Sequence, residues 1–379
     1  MKQNKRLIIH IGTIKAGSTS IQKSLGRGRD TLLEHDIYFP SIKPYNHTFS
    51  FAPIFMDDPT KIYEFQKELL VHEDKSVKVE NYRKAWLNEF KACKQRHFII
   101  SGEGFSQPPF REDEVKRLKE FVEHFFGSFT IIIYVRHYDS WILSETQQVI
   151  KNGLRKRSAR QITGYLLKCP PKVSYRQSLN KWINVFDREN IVVRPFDPKV
   201  FYKGSLLADF FHSVGLPADD LPIPEIRTNE SIGMYAVTFL QKYNQAYPVL
   251  VNNSVNKDRG LARQNFPVHL LQNLPDEKFK PELIYTAEQA ERFNEEIDFA
   301  NQFFMDGYQF QRVSPSTREM NFPSAEDIPI EFFVELVNNY NKQIETLQKR
   351  LEIFKIPIFM RIANRFKFTK NLLRSLRGY

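Results

Sequence analysis

Cysteine is nearly absent from this 379-residue chain, which holds only Cys93 and Cys169. Two thiols make no disulfide framework. Neither has neighbouring Cys or His at metal-ligand spacing, so disulfide scaffolds and Cys-ligated zinc modules are excluded. Long apolar runs are missing too. No segment approaches the roughly 20 apolar residues of a membrane-spanning helix. Near the N-terminus, Leu7-Ile8-Ile9 follows basic residues, but His10 and Lys15 cut the run short of a secretory leader. No internal repeat is present, which excludes solenoids and propellers. Reduced thiols and a cytoplasmic location are the resulting expectation. Acidic excess is lacking as well, with a net charge of +11. Residues 353–379 hold seven Lys or Arg and no Asp or Glu, so the remaining chain carries 48 basic against 44 acidic residues. The body is only mildly basic, and no nucleic-acid module is recognisable in it.

Hydrophobic residues at 41% suffice for a sizeable core. Short apolar runs ending in Gly or polar residues predict buried strands at Leu7–Ile11, Ile37–Phe39, His97–Ser101, Phe129–Val135 and Ile191–Val193. Helical periodicity lies between and after them, at 18–33, 59–70, 79–93, 111–126, 139–151, 175–188, 202–213 and 284–306. Alternating strands and helices predict an α/β fold with a mostly parallel central sheet flanked by helices. The Pro-rich stretch 215–224 reads as a loop.

From Pro323 the pattern changes. Phe333, Val337, Tyr340, Ile344, Leu347, Leu351 and Phe354 form a heptad seam over three repeats, fitting a helix packed on its own domain or a homodimer coiled coil. The expected division is 1–320 as the main domain, 321–354 as the heptad helix and 355–379 as a basic amphipathic tail. That tail interleaves Ile358, Phe359, Phe366 and Leu373 with Arg361, Arg365, Lys370 and Arg374, a composition suited to the surface of an anionic membrane.

The most informative segment is His10-Ile11-Gly12-Thr13-Ile14-Lys15-Ala16-Gly17-Ser18-Thr19-Ser20, which leaves a predicted strand and enters a predicted helix. There, glycines let backbone N–H groups turn toward an anion and the helix N-terminus adds a positive dipole. Lys15 supplies a mobile cation; Ser18, Thr19 and Ser20 supply hydroxyls. A nucleotide-triphosphate loop places its lysine directly after the second glycine. Here Ser18 holds that place and the lysine lies inside the loop, which disfavours an ATPase or kinase. The plain alternative is a strand–turn–helix with a chance glycine-rich turn.

Lys15-Ala16-Gly17-Ser18-Thr19 resembles the 5′-phosphosulfate loop of the sulfotransferases that use 3′-phosphoadenylyl sulfate (PAPS), with Ala16 in place of the more usual Thr or Ser. A second motif extends the resemblance. Ile131 to Arg136 is a strand ending in arginine, and Ser144 follows eight residues later on the next helix. In the family an arginine and a serine so spaced grip the 3′-phosphate; His137-Tyr138 stands where proline is usual. Weaker echoes are Ser101-Gly102-Glu103, Ile191 to Asp197, Asn229-Glu230-Ser231 and the 284–306 helix, the last two like bacterial carbohydrate-type members. Arg259-Gly260 is the best candidate for the family's late basic segment. The match spans roughly residues 5–310.

The resemblance implies a P-loop NTPase-like sulfotransferase fold with a C-terminal helical extension, PAPS as sulfuryl donor, a carbohydrate or glycan acceptor, and no metal. Gly12, Lys15, Ala16, Gly17, Ser18, Thr19, Ser20, Arg136, Ser144, Arg259 and Gly260 would bind the donor, with Lys15 also catalytic. The general base is either Glu103 or His47, since relatives use either type. The basic cluster Lys151, Arg155, Lys156, Arg157 and Arg160 is a solvated face or, alternatively, a docking patch for an acidic polysaccharide. Two further readings are a small-molecule kinase and a non-catalytic membrane scaffold.

Overall fold

The computed structural model describes residues 4–43, 45–69, 74–153, 157–168, 174–226, 231–251, 254–255, 268–271, 274–305 and 307–354. The echo at Asn229-Glu230, the candidates Arg259 and Gly260, the cluster members Arg155 and Lys156, and the tail 355–379 lie outside these. Two compact units are distinguished, one of 1–148, 158–230 and 281–321, the other of 149–157, 231–280 and 322–379.

The first unit is built on five parallel strands, β1 (Arg6–His10), β2 (Ile37–Tyr38), β3 (His97–Ser101), β4 (Ser128–Val135) and β5 (Ile191–Pro195). Their order across the sheet is β2-β3-β1-β4-β5. Ile8 pairs with Ile99 on one side and Thr130 on the other, and Ile133 pairs with Val193. Leu7, Ile8, Ile9, Ile99, Ile100 and Ile131 to Val135 are fully buried, as strands covered on both faces require. The fold is therefore α/β, with a parallel sheet flanked by helices.

Strand order reverses at β1, with β3 on one side and β4 on the other. Chains leaving the carboxyl ends of those strands diverge there and open a crevice, the usual ligand position in such sheets. The loop 11–17, Arg136 and Glu103 all follow these strand ends.

Helix boundaries follow local chemistry. The predicted helix over 18–33 is broken into Ser18–Arg27 and Arg29–Glu34 at Gly28. A Cβ at Gly28 would lie 2.7 Å from Ile223, so the break lets the chain pass close under that side chain. Ser174 caps the Tyr175–Phe186 helix through Gln177 N–H, and Ser205 caps Leu206–Ser213 through Ala208 N–H.

A buried ionic network lies across the back of the sheet. Arg194 on β5 donates to both carboxylate oxygens of Asp209, at 3.1 and 2.6 Å, while Tyr134 O–H and Tyr202 N–H donate to the same carboxylate. Asp209 is fully buried. Removing one partner strands a buried charge, so Asp209→Ala is expected to destabilise the protein by about 3–5 kcal/mol. A lowered urea midpoint at unchanged slope checks this; a shift under 1 kcal/mol (a rough threshold for an exposed pair) would mean that the network is solvated.

In the second unit, the Met234–Ala246 helix is capped by Asp276, whose carboxylate accepts from Tyr235 and Ala236 N–H. The Ile330–Phe354 helix packs Phe332 against Tyr235 and Phe239. Its heptad residues Phe333, Val337, Tyr340 and Ile344 face outward. Among the described residues no helix is long and apolar enough to cross a membrane.

Candidate active site

The loop after β1 turns through left-handed backbone at Gly12 (φ +39°), Lys15 (φ +67°) and Gly17 (φ +78°). At Gly17 both conformation and space require glycine, because a Cβ would fall 2.5 Å from Leu206 and 2.6 Å from Phe196. Lys15 pays a strain that its neighbours must hold, a feature that clusters at ligand-binding sites. Arg136 supplies that hold by donating from Nη1 to the Lys15 carbonyl at 2.8 Å. Thr13 Oγ1 ties the same loop to the Tyr134 carbonyl at 2.7 Å, and Ser18 Oγ donates to the Thr13 carbonyl at 3.3 Å. Ala16 is fully buried beneath the loop.

Gly17 precedes the Ser18–Arg27 helix and has no side chain to cap it. The first N–H groups of an α-helix have no internal acceptor, so those of Ser18 and Thr19 are directed at whatever occupies the crevice. Glycine curvature, an open helix terminus and an adjacent lysine are the features of an anion cradle. Thr19 is half-buried at its edge and Ser20 is buried within the helix.

Lys15 Nζ donates to Gln148 Oε1 at 3.1 Å. Burial lowers its pKa; the Glu145 carboxylate opposes that most, Arg136 lowers it further, and Glu103 opposes. Lys15 thus sits between two carboxylates and a second cation. Arg136 is half-buried, stacks 5.2 Å over the Phe196 ring, and donates from Nε to Ser140 Oγ at 3.0 Å. Burial brings its pKa down to about 10, and among the described residues no carboxylate pairs with it. A desolvated guanidinium without a counter-ion is a seat for an anionic ligand. Ser140 orients the guanidinium, and Ser144 is half-buried one helical turn further on.

Glu103 follows β3, half-buried, and its pKa is raised by burial first, with Lys15 opposing and Glu64 and Glu145 raising it further. It also lines a cavity of about 300 Å³ on the side of Thr48, Met56, Tyr63, Gln107 and Phe110. One carboxylate thus stands both in the field of Lys15 and on the wall of this cavity.

His47 is placed differently from the sequence expectation. It is fully buried, Nδ1 accepts from Ser101 N–H at 3.1 Å, and Nε2 lies 3.3 Å from the Pro40 carbonyl. Phe39 and Trp86 pack on its ring, and burial pushes its pKa down to about 3. With both nitrogens engaged in the core, His47 has no lone pair to offer a substrate. It fixes the chain between β2 and the cavity instead.

The sequence pattern missed Ser140, Glu145, Gln148, Glu64 and Phe196. Ser140, Ser144 and Gln148 recur every four residues on the predicted 139–151 helix, so one helical face aimed at the Arg136 loop was available as a signal. Glu64 and Phe196 carry no local signature, since only tertiary packing brings them here.

No family model matches this chain. Over 147 residues it is 22% identical to an uncharacterized protein of Archaeoglobus fulgidus, a match covering 39% of this chain and 38% of that relative's length. A sulfotransferase from Alicyclobacillus acidocaldarius is similar in structure at a TM-score of 0.38 and 14% identity, over 58% of this chain and 85% of that one.

Proposed function

We propose that this protein is a sulfotransferase that takes PAPS as donor and transfers its sulfuryl group to a hydroxyl or amine of a carbohydrate acceptor. The observation carrying this reading is the pairing of the glycine-rich loop at 12–19 with Arg136, a guanidinium bonded to that loop and paired with no carboxylate among the described residues. Two anion seats side by side suit a ligand phosphorylated at both ends of a nucleoside. The displaced lysine, in left-handed backbone at position 15, supports sulfuryl over nucleotide-triphosphate chemistry.

In this reading the N–H groups of 17–19, with the Thr19 hydroxyl, hold the 5′-phosphate, while Arg136 and Ser144 hold the 3′-phosphate and Ser140 orients the guanidinium. Bound there, PAPS would supply a sulfuryl group for in-line displacement, with charge spreading over its oxygens. Lys15 neutralises charge at the leaving oxygen. Glu103 accepts the acceptor's proton, a role favoured by a carboxylate whose pKa burial raises. The test is transfer of labelled sulfate from PAPS with release of adenosine 3′,5′-bisphosphate. Release of neither product in the presence of a range of glycan acceptors would count against it.

The same reading extends to partners. The outward Phe333–Val337–Tyr340–Ile344 stripe supports pairing with a second copy, because a heptad seam is self-complementary. Val337→Asp with Ile344→Asp is expected to convert a dimer to a monomer at micromolar concentration in sedimentation equilibrium. A monomeric wild type would contradict the pairing. For the tail 355–379 we propose attachment to anionic lipid, expected to be lost from vesicle co-sedimentation when the tail is deleted.

A further inference from the structure

Resting on the sulfuryl-transfer reading, we propose that the cavity beside Glu103 selects acceptors by charge: it admits an uncharged or amine-bearing sugar and turns away one carrying a carboxylate or sulfate. The charged lining is Glu64, Glu103 and Lys61, two carboxylates against one ammonium. Lys61 is exposed at the mouth, whereas Glu64 and Glu103 are half-buried and act on one another. Among the lining side chains the balance is therefore negative, with Lys15 acting on Glu103 from the cradle side, and an acidic acceptor would bring a like charge against that lining. Binding of a highly anionic donor next door adds to that repulsion.

The remaining lining points the same way. Met56 and Phe110 are nearly fully buried and form an apolar floor, and Tyr63, 61% exposed, presents an aromatic ring at the rim. Such surfaces take the C–H face of a sugar ring. Lys181, behind the wall, is already engaged: its Nζ donates to the Gln107 and Phe110 carbonyls, at 2.9 and 2.6 Å. It fixes the cavity wall from behind. A space of about 300 Å³ suits one sugar unit. Arg160 of the basic cluster is paired with Glu319 on the surface, so it supplies no cation to this lining.

The probes are p-nitrophenyl glycosides of glucosamine, glucose and glucuronic acid, which share size and aromatic group and differ in charge. Their affinities are measured calorimetrically at low salt, with and without adenosine 3′,5′-bisphosphate. The glucosaminide and glucoside are expected to bind, with the glucuronide at least roughly tenfold weaker. Glu64→Lys is expected to narrow or reverse that order, with circular dichroism and thermal melting checking that the variant is folded. A glucuronide that binds as well as the others, or no saturable binding by any of the three, overturns the inference. Charge discrimination without bisphosphate binding would leave the acceptor inference standing and remove the donor assignment; bisphosphate binding without charge discrimination would do the reverse.

Discussion

Lys15→Ala is expected to lower the single-turnover rate of sulfuryl transfer by roughly 100- to 1000-fold, the usual effect of removing a preorganised charge at a leaving oxygen. The substitution isolates that charge. Both residues bear a Cβ, so the left-handed backbone at position 15 is equally strained before and after, and the Arg136 bond to the residue 15 carbonyl is retained. Among the described residues the side chain makes one hydrogen bond, to Gln148. Donor affinity should change far less than rate. Lys15→Arg keeps the charge but spreads it over a planar fork, so it should recover only part of the loss. Equal losses in donor affinity and rate would mean that Lys15 binds the ground state and does not act on the transition state.

Glu103→Gln is expected to cost about 100- to 10,000-fold, the range for a general base. The pH profile makes the assignment specific. Burial raises the Glu103 pKa in the free protein, and the base works only when ionised, so kcat/KM should rise with pH through an inflection above the ordinary carboxylate range. Burial lowers the Lys15 pKa, and Lys15 works only when protonated, so activity should fall on the alkaline side below the ordinary lysine range. The two limbs draw together into a bell. Glu103→Gln should remove the acid limb and leave the alkaline one. An acid limb that survives in Glu103→Gln would place the base elsewhere. His47 is no candidate for it, because its pKa near 3 lies below any such limb.

Much of this architecture was legible in the sequence, for a physical reason. Strands buried on both faces must be apolar throughout, so Leu7–Ile11, Phe129–Val135 and their neighbours announce themselves within a residue or two of the observed β1 to β5. The loop at 10–20 was legible because glycine at positive φ is a local requirement. Helices that bury one face in a mixed environment were harder: Ala159–Lys168 and Met234–Ala246 were not anticipated.

The site was legible only in part. Lys15, Glu103 and Arg136 each end or follow a strand, and topology brings strand ends together. His47 also stands in a polar-looking loop, but Phe39 and Trp86 close over it, which local sequence does not reveal. Glu145 and Gln148 reach Lys15 from a helix whose rotation is set by packing, not by its own pattern. The Arg194–Asp209 pair joins residues 15 apart across the sheet's back and has no sequence signature at all.

On the proposed function, the loop at 12–19 and Arg136 together bind a nucleoside phosphorylated at both positions. Calorimetric titration with adenosine 3′,5′-bisphosphate, with 5′-AMP and Mg·ATP as controls, tests it directly on wild type and Arg136→Ala. The bisphosphate is expected to bind more tightly than either control, and Arg136→Ala to weaken it roughly 10- to 100-fold, as for loss of charge-assisted hydrogen bonds. Absence of bisphosphate binding in folded wild-type protein, or tighter binding of Mg·ATP, would contradict it and bring the kinase reading forward.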